Sequence, residues 1–308
     1  MSPAGVRRYA LHLREDGDAV SARVARMGPA DPLAVAIGRP PEDAPRLAGL
    51  IFSLCPMAQT AAALGALEAV AGREPAGAQA REALVLAEAV AGAVWRTGMT
   101  QAELLGRAPL IDPVRRAREA VSDLVRALFA DDWRRIGGVT PRVDRNAATA
   151  CAKRLRNAHA ATRPLADAVI QQAGTIGLGG ADRPPSLAPY FAAQDVYAED
   201  LLDRLDAAIA AAREDAAGLI FVDDGDGAAE IATARGPLRH TIRIRNGVIE
   251  RWRAEAPTDK NFAPGGPLET AAARLAPGAG LAVRARWLIA AFDPCAPAEV
   301  LEKEAVDA

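Results

Sequence analysis

A chain of 308 residues can bury a sizeable core, and half of this one is hydrophobic with only 4% aromatic, so alanine and leucine carry its apolar content and favour helix. A net charge of −2 and a pI of about 6.0 give no basic field for nucleic acid or an anionic membrane. No run of about 18 uninterrupted apolar residues is available to span a bilayer, and the cysteines, Cys55, Cys151 and Cys295, are too few and too scattered for a disulfide framework. The first residues, Met-Ser-Pro-Ala-Gly-Val-Arg-Arg, contain no apolar signal segment. The expectation is a soluble cytoplasmic protein without membrane insertion, although carriage to another compartment on a partner stays open.

Residues 8–28 alternate apolar and polar about Asp16-Gly17, with Tyr9, Leu11 and Leu13 before the turn and Val20, Ala22 and Val24 after it. That period of two predicts a β-hairpin. A Pro-rich link over 38–45 precedes a helical pattern from about 46 to 70, with Pro56 as a boundary or kink. A loop at 72–77 and a helix over 78–96 follow. A further helix is predicted at 113–130, where Asp112-Pro113 reads as N-cap and first-turn proline. Residues 144–172 read as one helix and 190–212 as another, with Asp195 and Glu199 on a polar face.

From about 216 the texture changes. Residues 218–222 and 240–245 are short strand-like runs, and Asn246-Gly247 is a hairpin signal. Residues 256–267 read as a loop rich in turn formers. A last helix at 279–291 leads into Asp293-Pro294-Cys295. The whole predicts a mainly α protein with a small β component, one small mixed or antiparallel sheet packed at one end.

Taken singly, each cysteine reads as a small buried hydrophobe. Cys295 says slightly more, because Pro294 pre-sets a turn and Asp293 can bond nearby amides. Cys151 sits in a helical stretch and reads as core packing.

The segments around the other two carry more. Cys55 ends Arg46-Leu-Ala-Gly-Leu-Ile-Phe-Ser-Leu-Cys55 and is followed by Pro56. Ala234-Arg235-Gly236-Pro237-Leu238-Arg239-His240 precedes the Asn246-Gly247 hairpin. Pro257-Thr258-Asp259-Lys260-Asn261-Phe262 and Phe292-Asp293-Pro294-Cys295 follow. In this order, the motifs resemble those of nickel–iron hydrogenase large subunits, over roughly 8–95 and 225–298. Residues 100–215 are only compatible with that helical family. The resemblance implies a hydrogenase large-subunit-like helical core in a single domain over 1–308. It would comprise a hairpin and linker (1–45), a helical core (46–215) and a β segment with the C-terminal cysteine segment (216–308).

The departures are as informative. Phe52 stands where the family has the first cysteine of its first pair, and Gln59 stands where it has a histidine. Ala298 replaces the second cysteine of the final pair, and Leu301 the final histidine. Ala10 lies in the neighbourhood of the family's proton-transferring glutamate. By the resemblance, Cys55 matches a bridging ligand and Cys295 a terminal nickel ligand, while Arg235 and Asp293 match residues around the diatomic ligands on iron. Two thiolates cannot replace the four soft ligands of a nickel site. From the residues alone, Arg235 reads equally as a salt-bridge partner of Glu230 or Asp293.

The pattern is most similar to the HupK-type hydrogenase expression/formation proteins, with Lys260 in place of their usual tryptophan. That resemblance implies a non-catalytic maturation scaffold. It would transiently hold an Fe(CN)2CO unit between Cys55 and Cys295, with Arg235 and Asp293 beside it and no complete nickel–iron centre. Its partners would be the hydrogenase large-subunit precursor and other maturation proteins. A degenerate subunit with residual redox activity, a pure interaction chaperone and a Cys55–Cys295 disulfide are the competing readings.

Overall fold

A computed structural model describes residues 7–28, 31–72, 77–130, 132–137, 142–179, 185–214 and 222–302. The alternation near the start makes strands β1 (Arg8–Asp16) and β2 (Ala19–Met27), joined through Gly17 at φ +62°. Tyr9, Leu11, Leu13, Val20 and Val24 are buried. This hairpin has a third strand that the sequence reading missed. β6 (Ala298–Glu302) lies parallel to β1, pairing Tyr9 with Ala298 through to Leu13 with Glu302. Among the described residues there are thus two three-stranded sheets, not one: β2-β1-β6, and the antiparallel β3-β4-β5.

In the second sheet, β3 (Gly225–Thr233), β4 (Gly236–Arg245) and β5 (Val248–Glu255) follow in sequence, with Asn246-Gly247 as the expected two-residue turn. The run at 218–222 lies outside the described residues except for its last member, and residues 73–76 of the expected loop at 72–77 lie outside them also.

The helical pattern at 46–70 breaks at Pro56, as expected, into α1 (Ala44–Ile51) and α2 (Pro56–Val70). Phe52 is extended (φ −110°, ψ 90°) and ends α1, and Cys55, before the proline, is non-helical (φ −142°, ψ 55°) and precedes α2. Most of α2 is buried, and it lies against β3 and β4. Gly227 makes the close approach possible: a Cβ there would sit 2.1 Å from the Ala66 carbonyl oxygen.

α3 (Ala78–Trp95) does not end at Thr97-Gly98. It runs on as a π-helical segment, Arg96–Gln101, into the short α4 (Ala102–Leu104). α5 (Ile111–Leu128) starts earlier than expected, so Asp112 lies inside its first turn. The pattern at 144–172 divides into α6 (Arg145–Ala160) and α7 (Arg163–Ala173), since Pro164 fits a first turn better than a helix interior. α8 (Ala188–Ala211) follows; its Asp195 and Glu199 face His159 and Arg163.

The expected loop at 256–267 instead contains α9 (Pro257–Asn261) and opens α10 (Pro267–Ala272), each with proline at its start. α11 (Leu281–Phe292) ends at Asp293, which adopts the left-handed conformation (φ 42°, ψ 66°). Aspartate tolerates that region, and Pro294 then forbids return to helix. The chain is thereby turned toward Cys295 and on into β6. Among the described residues, no helix is long and apolar enough to cross a membrane.

Candidate functional site

Cys55 and Cys295 line one cavity of about 400 Å3, together with Phe52, Gln59, Tyr9 and Asp259. Arg235 and Asp293 line the adjoining groove, of about 730 Å3, which shares Leu54, Ala296 and Pro297 with the cavity. The four residues singled out from the sequence are therefore neighbours divided between two concavities. Cys151 is buried in the helical core, as expected, away from both.

The Cys55 segment is held by buried polar groups. The Gln59 side-chain amide donates to Cys55 Sγ at 3.7 Å. His240 Nε2 lies 2.8 Å from Gln59 Oε1, and Trp252 donates to His240 Nδ1 at 3.2 Å. The Glu88 carboxylate, from α3, accepts the backbone N–H groups of Met57 and Ala58. These are among the donors that a helix leaves free at its start. Removal from water pushes the Cys55 thiol up to about 12, with Glu88 adding to the rise and the Gln59 bond opposing it. Burial likewise raises Glu88 to about 7, against the pull of the two backbone bonds. The same effect lowers His240 to about 3, so its ring is neutral at pH 7.

Cys295 is anchored differently. Its N–H donates to Thr258 Oγ1 at 2.9 Å. Burial raises its thiol pKa, opposed by a hydrogen bond with Thr258 and by the Arg235 charge.

Between the two segments, Asp293 is gripped by two arginines. Arg235 donates through Nε to the Asp293 carbonyl at 3.0 Å and through a terminal nitrogen to Oδ1 at 3.3 Å. Arg96 donates to Oδ2 at 3.0 Å. The expected ion-pair alternative for Arg235 thus resolves onto Asp293, not Glu230. Burial works against the Arg235 charge. Asp293 and the two thiols together outweigh it, so its pKa is raised. Of the two buried guanidinium groups on this carboxylate, Arg235 is the one whose charge reaches both sulfurs.

Gln59, Glu88 and Arg96 escaped notice as members of this site. The sequence presents Gln59 only as a lost histidine; in the structure it lies one turn into α2, with its backbone N–H donated to the carbonyl of Cys55 just ahead of the helix. Glu88 is an isolated carboxylate within Leu84-Val-Leu-Ala-Glu88-Ala-Val90, which was a legible signal. Arg96 gave none, because its position depends on the π-helical segment.

A four-thiolate nickel site does not fit these residues. Phe52 occupies the cysteine cavity. Ala298 lines the arginine groove instead and is fixed in the ladder opposite Tyr9. Leu301 is exposed on β6 opposite His12. Among the described residues, no group of three or more His, Cys, Asp or Glu side chains is arranged to hold a metal ion.

No protein-family profile matches the chain. It is 39% identical over 77 residues to the hydrogenase expression/formation protein HupK of Azotobacter vinelandii, and 40% identical over 79 residues to HupV of Azotobacter chroococcum mcd 1. Each match takes in 25% of this chain and 22% of the relative. The fold extends much further. The nickel–iron–selenium hydrogenase of D. vulgaris Hildenborough in its as-isolated oxidised state superposes with a TM-score of 0.72 at 14% identity, over 92% of this chain and 95% of that one. An NAD+-reducing [NiFe]-hydrogenase superposes with a TM-score of 0.60 at 15% identity, over 92% and 94%. The chain therefore has a hydrogenase large-subunit-like fold and, over a quarter of its length, resembles the hydrogenase expression/formation proteins HupK and HupV at about 40% identity.

Proposed function

We propose that this protein is a non-catalytic accessory scaffold in nickel–iron hydrogenase maturation. As one unit over 1–308, it holds an Fe(CN)2CO unit and passes it to the large-subunit precursor in the cytoplasm, beside other maturation proteins. One observation carries the reading: two cysteines from opposite ends of the chain line one cavity, with the Arg235 charge acting on both sulfurs. The kinship with proteins named for hydrogenase expression and formation agrees with it.

The chemistry follows from the side chains. Cys55 and Cys295 supply two soft ligands suited to iron. Arg235, in the adjoining groove, adds positive charge that acts on both sulfurs and suits an anionic, cyanide-bearing fragment. Both thiols are protonated at neutral pH, so binding the iron fragment releases protons. That requirement, with only two protein ligands, makes the hold reversible, which suits a cargo in transit.

The test is a Cys55→Ser/Cys295→Ser double variant expressed in place of the natural protein. Hydrogenase maturation is expected to fall while this protein stays folded. Infrared bands of cyanide and carbonyl are expected in the anaerobically purified protein and are expected to be absent from the variant. Normal maturation in the variant, with its complexes intact, would leave only an interaction role.

A further inference from the structure

The hydrogen-bond chain behind Cys55 has a direction, and the residue that sets it is remote from the sulfur. The Trp252 indole carries one N–H and no acceptor, and it donates to His240 Nδ1. That nitrogen must therefore present its lone pair. The proton of the neutral ring sits on Nε2 and is donated to Gln59 Oε1. With its carbonyl so engaged, Gln59 turns its NH2 group to Cys55 Sγ. Trp252, His240 and Gln59 are 1%, 0% and 3% exposed, so bulk water cannot substitute for any link.

We propose that Trp252 is a positioning residue that, through His240 and Gln59, fixes Cys55 as a hydrogen-bond acceptor, so that the sulfur meets an N–H once a metal has displaced its proton. The reverse arrangement satisfies the Gln59–His240 bond equally well. His240 would carry its proton on Nδ1, Gln59 would donate to Nε2, and Gln59 Oε1 would then face the sulfur and accept from its S–H. A thiolate there would confront a carbonyl oxygen instead of an N–H. Only the one-way indole separates the two senses. The use of this polarity for iron rests on the function proposed above; the polarity itself does not.

The test has one arm that needs no metal. In the metal-free full-length protein, the Raman S–H band of Cys55 is assigned by difference from Cys55→Ser. In Trp252→Phe, part of this band is expected to move to lower frequency as the thiol begins to donate. Cobalt(II) affinity, read from thiolate-to-metal charge-transfer absorption, is expected to fall about tenfold, the lower end for loss of a partner behind a ligand. Gln59→Met keeps the shape and removes the donor. It is expected to lose similar affinity without any low-frequency band. An unmoved band and unchanged cobalt affinity in folded Trp252→Phe would overturn the proposal. If that variant does not fold, unchanged cobalt affinity in Gln59→Met does so. A shifted band beside normal maturation in the double serine variant would sink the iron-holding role and leave the relay standing.

Discussion

The two cysteine segments are secured by opposite means. Cys55 sits between two helices, against a helix packed closely on a sheet, and every polar group behind it is buried and directed. Cys295 follows a left-handed turn and is anchored by one threonine, an ion-pair cluster and a strand that borrows its partner from the far end of the chain. The first half keeps surroundings suited to a ligand. In the second, Ala298, at the position of the missing sulfur, is part of a β ladder. The first missing sulfur is a side-chain replacement, Phe52, in the wall of the cysteine cavity, whereas Ala298 lies outside that cavity in a β ladder.

The largest test of that contrast is Asp293→Asn. Asparagine also accepts the left-handed conformation, so the turn survives while Arg96 and Arg235 lose their counter-charge. A loss of about 3–5 kcal/mol is expected in urea unfolding, the cost of an uncompensated buried charge. On the other side, Gly227→Ala drives a methyl against the Ala66 carbonyl and the Val70 backbone. An expected loss of about 1–3 kcal/mol, together with weaker cobalt binding at Cys55, would tie helix–sheet packing to the ligand's position.

Alkaline unfolding separates the two thiols further. The Cys55 thiol stands at about 12 in the folded protein against 9.0 for an ordinary thiol. The unfolded chain therefore ionises first. The group's contribution is intact below pH 9 and declines by about 1.4 kcal/mol per pH unit between 9 and 12. Tyr9, raised from 10.0 to about 12, steepens the decline above pH 10. Cys55→Ser is expected to flatten the stability curve between pH 9 and 10. An unchanged slope there would mean that the sulfur is not shielded.

Restoring the missing sulfurs gives a metal-binding version of the comparison. Phe52→Cys places a third sulfur in the cysteine cavity and is expected to raise cobalt(II) affinity by about tenfold, equivalent to about 1.4 kcal/mol. Ala298→Cys, in the neighbouring groove, is expected to leave it unchanged. The smallest effect is expected from Leu301→Lys, within about 0.5 kcal/mol on an exposed position, with no change in cobalt binding.

Much of the fold was legible because its signals are local. Alternation and Asp-Gly disclosed β1 and β2, Asn-Gly disclosed β4 and β5, and Pro56 marked the break between α1 and α2. The misses share a cause. β6 is short, contains no turn signal and takes its identity from a partner at the opposite end of the chain. Pro257 and Pro267, which looked like loop residues, are equally good first residues of helices. In the site, the motif residues were readable one by one, but the wiring was not. That Gln59 joins Cys55 to His240 depends on α2 lying across β4, and that Arg96 shares Asp293 with Arg235 depends on the widened turn after α3.

The parallel ladder between β1 and β6 also fixes a schedule. On the ribosome, residues 9–13 emerge long before residues 298–302, and an N-terminal hairpin must wait with one edge unpaired until they arrive. The cysteine cavity lies beside that junction, with Pro297 bonded to Tyr9 and lining the same space. Its wall is therefore among the last parts of the molecule to close. The cavity takes its shape only once residues 295–302 have been made and paired with β1.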